Sequence, residues 1–170
     1  SFYIDENIFK LDLENFFYKQ WVFVGHVSRI PKVGDYFLFN IGNESIIIIR
    51  DKNEFIHAHF NVCRHRGSQI CQEKSGNTRR FVCPYHAWGY DLDGKLVSAR
   101  HMPSDFQYAD YGMHCCQIEV LEGLIFISLA SKSSAEFSQI RDNLLPYLKP
   151  HDLARTKVVH QEIYPIDANW

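Results

Sequence analysis

Four residues near the middle of the sequence have the types and spacing of metal ligands. Cys63-Arg64-His65 and Cys83-Pro84-Tyr85-His86 spell C-x-H, a 17-residue spacer and then C-x2-H. Each segment therefore offers one thiolate and one imidazole. A [2Fe–2S] cluster with two Cys on one iron and two His on the other needs this set of ligands. A tetrahedral zinc ion is the alternative, but zinc sites more often pair Cys with Cys and His with His at short spacing, so the alternation favours the cluster.

The residues that follow each histidine are specific beyond the ligand types. Arg66-Gly67 follows the first, and Ala87-Trp88-Gly89-Tyr90 follows the second. With the ligand segments, these residues resemble the Rieske domain of Rieske non-haem iron oxygenases. The resemblance extends over residues 1–170. It implies a mostly β, antiparallel sandwich of the Rieske type, with two cluster-binding loops at about residues 61–90 and short flanking helices.

The resemblance also implies roles for individual residues. The ligands of the [2Fe–2S] cluster would be Cys63, His65, Cys83 and His86. Three further positions, Arg66, Gly67 and Trp88, would surround the cluster. Gly67 would let the backbone turn closely so that its amides aim at the sulfides, and Trp88 would pack beneath the cluster. The extra Cys pair and the Ser donor of respiratory Rieske proteins have no match here, which predicts a low-potential centre.

Shorter matches elsewhere resemble the glycine betaine and stachydrine demethylase branch of that family. They are Ala99-Arg100-His101-Met102, Tyr111-Gly112, Pro146-Tyr147-Leu148 and the closing Asn169-Trp170. The branch implies a flavin reductase or ferredoxin that donates electrons, and a mononuclear Fe(II) that receives them in the catalytic domain of the same or a neighbouring subunit of a trimer. There an N-methyl group would be oxidised and leave as formaldehyde. An aromatic ring-hydroxylating dioxygenase, a choline or carnitine oxygenase and a stand-alone Rieske ferredoxin are the alternatives.

The catalytic domain is expected to be absent from this chain. In the family that is resembled, two His and one carboxylate bind the catalytic iron, and four residues separate the two His. None of the nine His here has that separation from another. In the same family Asn169-Trp170 would stand where the catalytic domain begins. We therefore expect residues 1–170 to carry electrons without catalytic residues and without turnover of substrate.

Composition and charge narrow the classes of partner. Lys and Arg number 18 against 20 Asp and Glu, for a net charge of -2 and a pI near 6.5, so no overall field recruits nucleic acid. No apolar run approaches the roughly 20 residues that cross a bilayer, and the sequence does not open with basic residues followed by an apolar core, so a cytoplasmic protein without membrane contact is expected. A local basic cluster either docks an acidic reductase or forms a solvated rim with ion pairs to Glu73 and Asp91; its members are Arg64, Arg66, Arg79 and Arg80.

The other cysteines and histidines are expected to be structural. The chain has five Cys. Lone cysteines behave as small core hydrophobes, and this is the expectation for Cys71, Cys115 and Cys116. His57 and His59 share one face of a predicted strand, where ordinary hydrogen-bonded histidines are the expectation.

Local patterns predict the elements that position these residues. Helical spacing predicts an amphipathic helix over residues 6–20, and a capping box of Ser133 and Glu136 opens a second helix over 135–148. Strand patterns fall at residues 21–26, 36–41, 45–50, 54–60, 79–82, 116–121, 124–129 and 155–166. A further hairpin is predicted over 90–97, around the turn pair Asp93-Gly94.

Overall fold

The computed structural model describes residues 4–131 and 135–166. They form two compact units: a central unit, Arg29–Ile118, and a terminal unit made of the described residues before and after it. All four predicted ligands lie in the central unit. In chain order the helices and strands are α1 (Glu6–Asp12), β1 (Val22–His26), β2 (Asp35–Ile41), β3 (Glu44–Arg50), β4 (Ile56–Phe60), β5 (Ser75–Asn77), β6 (Phe81–Val82), β7 (Gly89–Tyr90), β8 (Leu96–Ser98), β9 (Gln117–Leu121), β10 (Leu124–Ser128) and α2 (Phe137–Leu148).

The central unit contains a four-stranded antiparallel sheet in the order β4-β3-β2-β5. Four consecutive isoleucines, Ile46–Ile49, are fully buried in β3. A continuous apolar run of this kind is expected in a strand that lies between two others and is covered on both faces. The register pairs Ile47 with Leu38 on β2 and with His59 on β4.

A second antiparallel sheet of the central unit has the order β6-β7-β8. Its β7-β8 connection turns at the predicted Asp93-Gly94 pair, where Gly94 has φ +87°. A Cβ at Gly94 would lie 2.7 Å from Cε1 of His59, so only glycine fits there. The two sheets share one core, in which Ile47 and Ile49 pack with Phe81, Trp88 and Tyr90. The predicted mostly β, antiparallel sandwich is confirmed.

The terminal unit contains β1, β10, most of β9 and both helices, and the three strands form a sheet in the order β1-β10-β9. Asp5 caps α1, because its Oδ1 accepts hydrogen bonds from the amides of Asn7 and Ile8 at 2.8 and 3.2 Å. A π-helical turn, Leu13–Phe17, continues α1 over most of the predicted helix. The ring of Phe137, the first residue of α2, lies 4.9 Å from that of Trp21, so α2 packs on this unit's own aromatic residues.

One predicted element is wrong. Residues 155–166 alternate like a strand, but a 3-10 turn, Leu153–Arg155, is followed by an exposed stretch without strand structure. Alternation gives a strand only where a neighbouring strand supplies a ladder, and none pairs with residues 156–166 within the part of the chain that the structure describes. The predicted capping residue Ser133 and the pair Asn169-Trp170 lie outside the described residues.

No helix among the described residues is long and apolar enough to cross a membrane.

Candidate metal centre

The two ligand-bearing segments fold into loops with the same backbone. In loop 1 (residues 63–68) the amide of Cys63 donates to the carbonyl of Ser68 at 2.8 Å, and the amide of Gly67 donates back to Cys63 at 3.0 Å. Loop 2 (residues 83–88) repeats both bonds at the same lengths, from Cys83 to Trp88 and from Ala87 to Cys83. The fifth residue of each loop is left-handed, with φ +69° at Gly67 and +56° at Ala87. Each cysteine therefore starts an equivalent tight turn.

The two cysteine side chains are buried, with 2% of each exposed. Burial raises the pKa of the Cys63 thiol, and the neighbouring Cys83 sulfur raises it further, while the hydroxyl of Tyr90 and the amide of His65 act in the opposite direction. The Tyr90 hydroxyl lies 3.3 Å from Sγ of Cys63 and also accepts from the amide of Arg64 at 3.1 Å. The thiolate form of Cys63 is therefore disfavoured in this surrounding, and a nearby cation such as a bound metal would favour it.

The two histidine side chains form the second pair. Nδ1 of His65 lies 3.1 Å from Nδ1 of His86, and the two rings are half-buried. Desolvation lowers the pKa of His86, and the positive charges of His65 and Arg66 lower it further. A low pKa keeps the imidazole neutral, as metal binding requires.

The donors are sorted by type, sulfur with sulfur and imidazole with imidazole, although each loop contributes one of each. Among the described residues, no group of three or more His, Cys, Asp or Glu is arranged to hold a single metal ion. Two separate pairs do not fit one tetrahedral zinc ion. They fit a binuclear centre in which one metal takes both thiolates and the other takes both imidazoles.

The model of the Rieske [2Fe-2S] domain family matches residues 20–118, which include both loops. The chain belongs to the Rieske [2Fe-2S] domain family. It is 38% identical to the glycine betaine monooxygenase oxygenase subunit of Pseudomonas aeruginosa over 170 residues, which are 99% of this chain and 39% of that protein. It is also 38% identical, over 127 residues, to the biphenyl 2,3-dioxygenase subunit alpha of Rhodococcus jostii, covering 73% of this chain and 28% of that subunit. The chain thus spans about two fifths or less of these relatives.

Two kinds of oxygenase structure resemble the fold. The quaternary ammonium Rieske monooxygenase CntA in complex with L-carnitine matches with a TM-score of 0.78 and 30% identity, over 87% of this chain and 43% of that one. Naphthalene 1,2-dioxygenase from Rhodococcus sp. also matches with a TM-score of 0.78, at 33% identity, over 87% of this chain and 34% of that one. The likeness therefore includes both a monooxygenase of quaternary ammonium compounds and a ring dioxygenase.

The three supporting positions of this Rieske domain lie beside the paired donors. The buried indole of Trp88 stacks on His65, with ring centroids 4.8 Å apart and an interplanar angle of 11°. Gly67 has a left-handed backbone, with φ +69°. Arg66 is exposed and acts electrostatically on His86. How each of them acts on a bound cluster stays a prediction.

Sequence reasoning missed two residues, one that contacts loop 1 and one that hydrogen-bonds the chain just after it. Tyr90 stood within the matching motif without an assigned role, and its hydroxyl bonds Cys63. Asn61 stands two residues before Cys63, and its buried side chain hydrogen-bonds residues beyond loop 1. The only sequence signal was a polar residue at the end of a predicted strand, beside the ligand segment.

The histidines of β4 behave as predicted, as hydrogen-bonded strand residues. Nε2 of His57 lies 3.0 Å from a carboxylate oxygen of Asp51, and Nε2 of His59 donates to the carbonyl of Leu92 at 3.0 Å. Burial lowers the pKa of His59 to about 4, which keeps the ring neutral. Cys71 and Cys116 are buried as expected, whereas Cys115 is exposed.

Within the described residues, none of the four arginines of the predicted basic cluster forms an ion pair with Glu73 or Asp91. Asp91 pairs with Lys52 at 3.4 Å, and Arg64 contacts the ring of His114. Arg66, Arg79 and Arg80 are exposed. The arginines thus face solvent in the region of the ligand loops, which leaves the docking of an acidic partner as a prediction.

Proposed function

We propose that this chain is the electron-transfer domain of an O2-dependent oxygenase. It would pass electrons from a reductase or ferredoxin to a mononuclear Fe(II) site in a catalytic domain of the same or a neighbouring subunit. The observation that carries this proposal is the sorting of two buried thiols and two half-buried imidazoles into separate pairs on matching loops. A catalytic domain beyond residues 1–170 and a trimeric, cytoplasmic parent protein are parts of the same proposal.

The ligand assignment follows from the donor pairs. Cys63 and Cys83 would hold one iron, and His65 and His86, through Nδ1, would hold the other. When bound, a [2Fe–2S] cluster supplies one-electron redox chemistry. The Tyr90 hydroxyl and the His65 amide would stabilise the negative charge on the Cys63 sulfur, and the half-buried imidazoles would keep that end of the centre accessible to an electron donor or acceptor.

The substrate class is proposed from the relatives. The match to glycine betaine monooxygenase covers 99% of the chain, whereas the match to biphenyl dioxygenase covers 73%. This difference in coverage favours oxidative N-demethylation of a quaternary ammonium compound such as glycine betaine. Ring hydroxylation of an aromatic compound is the second candidate, and the likeness to naphthalene 1,2-dioxygenase supports it.

The first experiment measures iron, acid-labile sulfide and zinc in the purified chain, and the EPR spectrum after reduction with dithionite. About two iron and two sulfide per chain with a Rieske signal are expected. Cys83→Ser and His65→Cys are expected to lose that signal, while Cys71→Ser, a buried cysteine outside both loops, keeps it. Zinc without a signal, or an unchanged spectrum in the two ligand variants, would refute the assignment.

The substrate is tested with the full-length oxygenase and its reductase. With glycine betaine, the enzyme is expected to consume O2 and release formaldehyde, because hydroxylation of an N-methyl carbon gives a product that loses that carbon. With biphenyl, the rate of O2 consumption is expected to equal the rate measured without substrate. The reverse pattern would select the ring-hydroxylating alternative while leaving the metal assignment intact.

A further inference from the structure

The two ligand loops are closed at their bases in different ways. Loop 2 lies between β6 and β7, which pair Phe81 with Tyr90 and Val82 with Gly89, so a backbone ladder closes it. Loop 1 follows β4, but the chain after it does not return as a strand. A single isolated bridge between Val62 and Gln69 is the strand-like pairing at its base. Loop 1 therefore needs another means to hold its two ends together.

The side chain of Asn61 joins those ends. Its Oδ1 accepts hydrogen bonds from the amides of Ile70 and Cys71, at 3.1 and 2.8 Å. Its Nδ2 donates to the carbonyl of Cys71 at 2.8 Å and to the hydroxyl of Ser45 at 3.3 Å. The donors and acceptors of the carboxamide are thus all used. Asn61 is 1% exposed, so water does not compete for these bonds.

The backbone of Asn61 is fixed as well. Its amide donates to the carbonyl of Ser45, at the start of β3, at 2.8 Å. The residue therefore ties the buried sheet to the chain on both sides of loop 1. Neither the thiol of Cys63 nor the imidazole of His65 is among its hydrogen-bond partners, so any effect on them passes through the loop backbone.

We propose that Asn61 is a positioning residue that aligns Cys63 and His65 with their partners on loop 2. Its carboxamide takes the place of the backbone ladder that loop 2 has. Cys63 lies two residues after Asn61, so the register of the Asn61 bonds sets where its sulfur lies relative to Cys83. This inference rests on the proposed cluster for its functional meaning, but the hydrogen bonds of Asn61 are made by the protein alone.

The test uses the purified chain carrying Asn61→Ala, with Asn77→Ala as a matched control. Asn77 also donates two side-chain hydrogen bonds, to the carbonyl of Val33 and to Asp35, but on the edge strand β5. Amide hydrogen exchange is read by mass spectrometry over residues 62–71 and 81–90. Asn61→Ala is expected to speed exchange over 62–71 by about tenfold or more, because several buried hydrogen bonds are lost, and to leave 81–90 nearly unchanged.

The second readout is the EPR spectrum and reduction potential of the iron-loaded protein. Asn61→Ala is expected to shift both or to lower iron content, whereas Asn77→Ala leaves them as in the unsubstituted chain. If the alanine variant does not fold, the same two readouts are taken on Asn61→Ser, which adds no charge and replaces the carboxamide by a single hydroxyl that cannot make all of the Asn61 hydrogen bonds. Unchanged exchange over 62–71, or shifts as large in Asn77→Ala, would overturn the proposal.

The two readouts separate this inference from the proposed function. If the chain bound no iron, the proposed cluster would be refuted, while hydrogen exchange would still test whether the Asn61 hydrogen bonds hold loop 1. If iron bound normally and the Asn61 variants kept both the spectrum and the exchange rates, the cluster would stand and the positioning role would be refuted.

Discussion

Loops 1 and 2 have the same backbone conformation, but different parts of the fold hold them in place. Their cysteines, hydrogen-bond lengths and left-handed fifth residues match, so the tip conformation is common to both. Loop 2 is supported by a backbone ladder and by the buried indole of Trp88, whereas loop 1 is supported by the carboxamide of Asn61. The two loops thus have the same backbone conformation, while different elements of the surrounding fold hold them in place.

The two supports differ in physical type. Trp88 stabilises loop 2 by burying a large apolar surface in the shared core, a non-directional contribution. Asn61 stabilises loop 1 through directional hydrogen bonds that depend on the exclusion of water. A substitution that removes buried apolar surface should therefore destabilise loop 2 more than loop 1. A substitution that removes buried hydrogen bonds should destabilise loop 1 more than loop 2.

The largest effect is expected from Trp88→Ala. Removal of a fully buried aromatic side chain leaves a cavity and lowers the free energy of unfolding by about 3–5 kcal/mol. Urea unfolding measures the change. Tyr85→Ala is the control in the same loop, because Tyr85 is 60% exposed and surface substitutions change stability by about 0.5 kcal/mol or less. Equal losses in the two variants would show that Trp88 is not the support of loop 2.

An intermediate effect, of opposite sign in the two loops, is expected at the left-handed position. Gly67→Ala places a side chain at φ +69° and should lower stability by about 1 kcal/mol, since no atom lies within 4 Å of the new Cβ and only backbone strain remains. Ala87→Gly removes that strain at φ +56° and should raise stability by up to about 1 kcal/mol. Thermal unfolding of both variants checks the signs. Two changes of the same sign would contradict an equivalent strain at the two tips.

The smallest effect is expected from Tyr90→Phe. The hydroxyl that hydrogen-bonds Cys63 is lost, so the reduced, more negative centre is less stabilised and the reduction potential falls. A shift on the order of tens of millivolts is expected, since 59 mV corresponds to a tenfold change in a one-electron equilibrium. Protein-film voltammetry measures it. Tyr36→Phe, a hydroxyl change outside both loops, should leave the potential in place, and a rise in the Tyr90→Phe variant would contradict the assigned hydrogen bond.

The parts of the fold that could be predicted are those with a local signal. The buried isoleucine run of β3, the Asp93-Gly94 turn and the helix over α2 are each encoded in neighbouring residues. The strand β5 had no such signal, because Ser75, Gly76 and Asn77 are exposed and pair only with β2 at a sheet edge. Residues 155–166 had the signal of a strand but no strand to pair with, so local pattern alone misled there.

The candidate site likewise has features that short stretches of sequence predict and features that they do not. The sequence by itself determined the types of the four candidate ligands and their alternation in two short segments, because each depends on a few adjacent residues. Only the tertiary structure decided that Cys63 meets Cys83, that His65 meets His86, and that Asn61 and Tyr90 support loop 1. Those contacts join residues distant in the chain, and they depend on strand register and burial, which no short window of sequence contains.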